Sequence, residues 1–179
     1  VKFYRSDIQG KCDSLSYSEV DSVFRMFGDP VLWTDNNQLT AEFIDLLTRN
    51  QEMERIEMTN RAFIIAMEDS TKFNQIKGRD MTGYIQDNQL QRINVNGNSE
   101  TIYYGKEEEE IIGVNKALSS NLIIIFTDNQ IDRIIYLTNP TGKYYPVNKF
   151  PEPESRLEGF RWLDVHRPQN RFGIFDWTN

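Results

Sequence analysis

The chain has 179 residues, 26% of them charged, and a net charge of −7. With a pI near 4.8 it lacks the basic footprint of a general nucleic-acid binder and of a protein held to membrane surfaces by basic residues. A hydrophobic content of 39% excludes a disordered composition, and the longest apolar run, Leu122-Ile123-Ile124-Ile125-Phe126, is far too short to span a bilayer.

A mass of 21.1 kDa predicts one domain. A compact fold of that size would expose about 9,000 Å², roughly 30% of the surface of the unfolded chain. Read from the N-terminus, residues 1–6 are a candidate terminal strand. Residues 16–27 and 43–57 are the only segments arguable as helices, and both read as strand-turn-strand. From there the apolar period is two: Ile56/Met58, Phe63/Ile65/Met67, Ile93/Val95, Ile102/Tyr104, Ile112/Val114 and Leu122/Ile124/Phe126. Turn-forming clusters punctuate the chain, among them Gly28-Asp29-Pro30, Asp35-Asn36-Asn37, Asp87-Asn88, Asn96-Gly97-Asn98, Asp128-Asn129 and Asn139-Pro140-Thr141-Gly142. The pattern predicts an all-β sandwich, barrel or solenoid. After Tyr145 the character changes. Pro146, Pro151 and Pro153 mark a linker, followed by an aromatic-rich tail with Phe160-Arg161-Trp162 and Phe172-Gly173-Ile174-Phe175-Asp176-Trp177. The division expected is therefore residues 1–148 as the β domain and 149–179 as linker and tail.

The chain also repeats itself. Gln51-Glu52-Met53-Glu54-Arg55-Ile56, Asn88-Gln89-Leu90-Gln91-Arg92-Ile93 and Asn129-Gln130-Ile131-Asp132-Arg133-Ile134 are copies, and Asp21-Ser22-Val23-Phe24-Arg25-Met26 is a weaker fourth. Arg55, Arg92 and Arg133 stand 37 and 41 residues apart, and a period of about 40 predicts a supersecondary unit that buries its face by stacking on its neighbours. In-register copies would align Arg55, Arg92 and Arg133 as an edge ladder. These arginines are either edge protection or contacts to anionic head groups. Their apolar partners, Ile56/Met58, Ile93/Val95 and Ile134/Tyr136, would stack into an internal stripe. That stripe is either a closed core or the lining of an open trough.

Catalytic signals are sparse. One cysteine, Cys12, excludes an intrachain disulfide and any multi-cysteine metal site, and one histidine, His166, excludes two-histidine metal motifs. Asp164 and His166 lack a nucleophile elbow and read as a tail pair. Cys12 reads as a small buried hydrophobe. The Glu107–Glu110 run reads as a solvated loop, since a calcium loop needs spaced ligands. Asp21, Asp29, Asp45 and Asp80 give no pair that the sequence brings together. No cofactor and no metal are expected.

Three stretches carry a family resemblance. They are Asp7-Ile8-Gln9-Gly10-Lys11-Cys12-Asp13-Ser14-Leu15-Ser16-Tyr17, Asp29-Pro30-Val31-Leu32-Trp33 and Gln38-Leu39-Thr40-Ala41-Glu42. With Phe73-Asn74-Gln75-Ile76-Lys77-Gly78, Thr101-Ile102-Tyr103-Tyr104 and Ala117-Leu118-Ser119-Ser120, they resemble the OstA-like (LptA) family over most of residues 1–148. The resemblance implies a V-shaped, partly open antiparallel β-jellyroll in the periplasm. It implies a non-enzymatic carrier that holds the acyl chains of lipopolysaccharide, or a similar lipid, in an apolar trough. It further implies edge-to-edge stacking with like domains by β-augmentation. The expected lining is Ile56, Met58, Phe63, Ile65, Ile93, Val95, Ile102, Tyr104, Ile112, Val114, Ile124, Phe126, Ile134 and Tyr136. The chain begins on Val1, which reads as trimmed, with any signal segment removed. The competing expectations are a sugar-binding or sugar-cleaving β module using Trp33, Tyr103, Tyr104 and Trp162 as stacking platforms, and a closed structural envelope domain.

Overall fold

The computed structural model describes residues 1–128 and 130–176, so Asn129 and Trp177 lie outside the described residues. Within the described residues the strands are β1 (Lys2–Tyr4), β2 (Ile8–Lys11), β3 (Ser14–Ser18), β4 (Val23–Phe27), β5 (Val31–Thr34), β6 (Asn37–Thr40), β7 (Phe43–Arg49) and β8 (Glu52–Thr59). They continue as β9 (Ala62–Met67), β10 (Phe73–Gly78), β11 (Asp80–Gln86), β12 (Gln89–Glu107), β13 (Glu110–Thr127), β14 (Gln130–Tyr136) and β15 (Thr141–Pro146). Every pairing is antiparallel. The two segments with a possible helical reading are the β3–β4 and β7–β8 hairpins.

The sheet has two wings. Wing one runs β1-β2-β5-β6-β9-β10, then the C-terminal part of β12, the N-terminal part of β13, and β15. Wing two runs β3-β4-β7-β8-β11, then the N-terminal part of β12, the C-terminal part of β13, and β14. Each passage from one wing to the other crosses a common crease. There, Glu42 N–H donates to Asn60 C=O at 2.9 Å, Arg79 N–H to Gly97 C=O at 2.8 Å, and Ser120 N–H to Thr138 C=O at 2.9 Å. Gly97 (φ +80) and Asn98 (φ +50) take the left-handed backbone that lets β12 turn the corner. The hairpin turns lie at the opposite ends of the strands, so the wings form a trough that opens between two rows of turns. The exposed surface, 10524 Å², exceeds the roughly 9,000 Å² of a compact fold.

The sequence repeat is a bulged hairpin, and its copies lie side by side in wing two rather than stacking as solenoid coils. In β7–β8, β11–β12 and β13–β14 the register steps by one residue, leaving Glu54, Gln91 and Asp132 as the extra residue. Each of them immediately precedes the repeated arginine. The bulge turns an apolar spacing of three into one face: Met53 with Ile56, Leu90 with Ile93, and Ile131 with Ile134 all pack on the interior cluster. The weaker copy differs, because β4 pairs with β7 without a register step and Arg25 sits opposite Asp45.

Two apolar clusters result. The first lies between the wings and includes Met26, Leu32, Ile44, Met58, Ile64 and Val95. The second lies on the outer face of wing one, where Phe63, Ile65, Phe73, Ile102, Tyr104 and Val114 meet Phe150, Leu157, Phe160 and Trp162 of the C-terminal segment. That segment is a strap. It leaves β15, makes short 3-10 turns at Val147–Lys149, Glu152–Glu154, Asp164–His166 and Gly173–Phe175, and reaches β1, where the Lys2 side chain bonds the Asp176 carbonyl.

A row of buried glutamines holds the strap down. Gln75, Ile65, Gln38, Trp33 and Gln9 are successive cross-strand partners on β10, β9, β6, β5 and β2. Gln75 Nε2 donates to Ser155 C=O at 2.8 Å and its Oε1 accepts from Leu157 N–H at 2.8 Å. Gln38 does the same to Arg161 C=O and Leu163 N–H, both at 2.6 Å. Gln9 Oε1 accepts from Arg167 Nε at 2.8 Å. The first two amides thus act as substitutes for a partner strand's backbone.

Candidate functional site

The trough interior is built from cross-strand rows. Ile56, Gly83, Ile93, Ile124 and Ile134 form one inward row of wing two, and Met58, Met81, Val95, Leu122 and Tyr136 form the next, closer to the crease. Ile8, Leu32, Leu39, Ile64 and Ile76 pack against the same interior from wing one. The floor is closed: Ile93 is 1% exposed, and Val95 and Ile124 are 0% exposed. Tyr136 joins the floor through a 2.7 Å hydrogen bond between its hydroxyl and that of Thr101, while burial pushes its phenol pKa up.

Nearer the turns the interior opens. A narrow cavity of about 90 Å³ lies between the two rows of turns, with Leu39, Met53, Ile56, Leu90 and Phe126 below and Asp7, Asp35 and Asn88 at the rim. A larger one of about 410 Å³ lies where the edge strands β1 and β3 face one another. Its walls are Phe3, Leu15, Tyr17, Phe24, Leu46 and Met53, with Gln51 at the rim. Gly10 makes room for the Phe3 ring there, since a Cβ at this position would collide with it. Arg5 borders both cavities. Its guanidinium grips Asp7 through two bonds of 2.5 and 2.7 Å, which hold the Asp7 carboxyl below its usual pKa.

The expected lining residues divide between two faces. Ile56, Met58, Ile93, Val95, Ile124 and Phe126 belong to the interior, and Ile134 and Tyr136 pack partly buried against it. Phe63, Ile65, Ile102, Tyr104 and Val114 point out of the trough and lie under the strap. Ile112 is 47% exposed beside the register step between Gly105 and Lys106 of the β12–β13 hairpin. The strand β9 explains the error of face. Ala62-Phe63-Ile64-Ile65 is buried on both sides, so alternation alone leaves two equal candidates. Sequence reasoning missed Phe3, Leu15, Phe24, Met53 and Leu90. The first three sit in short strands, and the last two are out of phase until the bulge is known.

The three arginines do align, in one row with two neighbours: Arg55, Tyr84, Arg92, Ile125, Arg133. The row is on the outer face of wing two, away from the trough mouth. Arg92 lies over the Tyr84 ring at 5.7 Å, and Arg133 pairs with Asp132 at 3.6 Å. Among the described residues the sheet path ends on β1 at one end and β3 at the other, and β14 and β15 each pair with β13. The end of the strap lies against β1.

The remaining candidates are placed elsewhere. Cys12 is buried, and burial pushes its thiol pKa up. Asp164 and His166 share a turn of the strap, with Asp164 3.9 Å from Arg167. Glu107–Glu110 form an exposed hairpin turn. Among the described residues no group of three acidic, histidine or cysteine side chains converges on a metal site. Trp33 and Tyr104 are buried and present no stacking face, while Tyr103 is half-buried and Trp162 is half-buried against Phe73 at 5.2 Å. Among the described residues no helix is long and apolar enough to cross a membrane.

No protein-family model matches the chain, and no curated protein matches it. Among solved structures it is similar to the crystal structure of LptH from Pseudomonas aeruginosa, the LptA-homologous periplasmic component of the conserved lipopolysaccharide transport device. The likeness covers 76% of this chain and 92% of that one, with a TM-score of 0.55 and 12% identity. Identity so low speaks to architecture alone, and the architecture agrees with the resemblance in the sequence: this chain has the LptA-like fold, a partly open antiparallel β-jellyroll.

Proposed function

We propose that the chain is a non-enzymatic periplasmic carrier of lipopolysaccharide or a similar lipid, gripping acyl chains in the mouth of the trough. The observation that carries this reading is the apolar cavity between β1 and β3, walled by Phe3, Leu15, Phe24 and Met53 above the packed floor. Burial of acyl chain stabilises by about 0.8 kcal/mol per methylene, so roughly ten methylenes contribute about 8 kcal/mol. That corresponds to micromolar affinity before the costs of association. An acidic protein holds an anionic lipid in this way because the tails supply the affinity and the head group stays in water. Like domains would add at the terminal strands, β3 of one copy beside β14 or β15 of the next.

A second reading, a closed structural envelope domain, is favoured by the floor, where Val95 and Ile124 have no exposed surface. Photo-crosslinking to lipopolysaccharide, with native mass spectrometry of the purified chain, separates the two. Crosslinkers at Phe24 and Met53 should capture lipid, and one at Arg92 should not. Bare protein in the native spectrum and no adduct at either mouth position would give the structural reading instead.

A further inference from the structure

We propose that the outer face of wing one is a peptide-docking surface, and that it accepts the strap of a second copy in exchange for its own. The proposal does not rest on the lipid reading. The surface has the chemistry of backbone recognition. Gln75 and Gln38 each present one donor and one acceptor to residues i and i+2 of the crossing chain. They stand two strands apart, about 10 Å. The strap meets that spacing with its clamps centred on Arg156 and Trp162. Pockets between the clamps select side chains. Phe73 receives the Phe160 and Trp162 rings at 5.3 and 5.2 Å, and Arg156 lies 4.7 Å from both the Phe73 and Phe160 rings. Arg156 Nη2 also donates to Thr71 C=O at 2.6 Å.

Among the described residues the strap contributes no strand to the sheet, so its release leaves the β ladders described above intact. Its hinge runs through two 3-10 turns between Val147 and Glu154, each capped by an extended proline, Pro146 (ψ 142) and Pro151 (ψ 124), with Phe150 5.2 Å from the Tyr145 ring and Glu154 3.1 Å from Lys116. Extended fully, those residues reach roughly 27 Å. An identical segment from a neighbour offers the same clamp contacts from Ser155 onward, which is the condition for exchange between copies. Its competitor is the tethered strap, whose effective concentration is of millimolar order for a short linker. Exchange therefore grows as protein concentration approaches that range.

The test uses full-length chains carrying a photo-crosslinking residue in place of Trp162, grown in ¹⁴N and ¹⁵N media, mixed, incubated and irradiated. Crosslinks from position 162 to the peptide containing Phe73 are then sorted by isotope. Mixed-isotope pairs should increase with concentration toward half of all pairs. In a Gln38→Ala, Gln75→Ala background they should form faster at a fixed concentration. Same-isotope pairs alone at every concentration would overturn the proposal, as would mixed pairs indifferent to the two glutamines. The unmodified chain supplies a second readout by amide exchange. Leu157 and Leu163 N–H should exchange together and faster than Ile64 N–H in β9. Equal protection of all three would mean that the strap does not open separately, and the proposal would fail.

Discussion

The side-chain oxygen of Gln38 lies 2.6 Å from the Leu163 amide nitrogen, 125 positions away in sequence. Because the same side chain donates to Arg161 C=O, one neutral amide satisfies two backbone groups that the outer face would otherwise leave unpaired. Gln38→Ala removes both bonds and should destabilise by about 1–3 kcal/mol. At roughly 2–4 °C per kcal/mol for a chain of this size, the thermal midpoint measures it. Gln38→Glu sharpens the case. A carboxylate cannot donate to Arg161 C=O, so burial raises its pKa in the folded state, and the lost stability should return as pH falls through that raised value. A Gln38→Glu deficit that does not change with pH would show that the donor half of the clamp is dispensable.

The floor and the hairpin turns should respond differently to truncation. Ile93 and Ile124 are enclosed, so either change to Ala should cost about 2–5 kcal/mol in urea unfolding. Ile112→Ala, at an exposed position, should stay within about 0.5 kcal/mol.

The bulge residues carry phase rather than contacts. Gln91→Ala should be nearly silent in denaturant midpoint. Deleting Gln91 removes the extra residue between Leu90 and Ile93 and turns one of them outward. The loss is that of one buried apolar side chain, about 1.5–3 kcal/mol.

Acid should loosen the strap at Arg161. Its guanidinium holds Asp29 through bonds of 2.7 and 3.1 Å and lowers the Asp29 pKa below the ordinary 3.8. A lowered folded-state value means the contribution is complete above the unfolded value and is lost as pH falls through the folded one. Trp162 fluorescence should therefore report strap loosening below about pH 4, and Asp29→Asn should remove that pH step. Both groups are about half exposed, so added salt should shrink the effect.

Period-two alternation made the all-β class legible, and the repeated Arg-Ile pairs located three hairpins of wing two. The faces of wing one were not legible, because a strand covered on both sides reads as one apolar run. Phe63 and Ile65 are as apolar as Ala62 and Ile64, and nothing local marks which pair faces the partner wing. The strap was illegible for the opposite reason. Gln9, Gln38 and Gln75 are polar residues of the kind usually found at surfaces, and their burial depends on a segment that arrives 80 or more positions later.

The crease at residues 79 and 97–98 gives the molecule a fixed axis, like the spine of a book. Trough depth is set by how many residues each strand counts from spine to outer turn. Length added in pairs at a turn would deepen the page without disturbing its neighbours. A single residue added at the spine would shift the facing of every side chain beyond it. Insertions should therefore be tolerated along one border of this fold and excluded from the other, so that variation in length collects at the mouth.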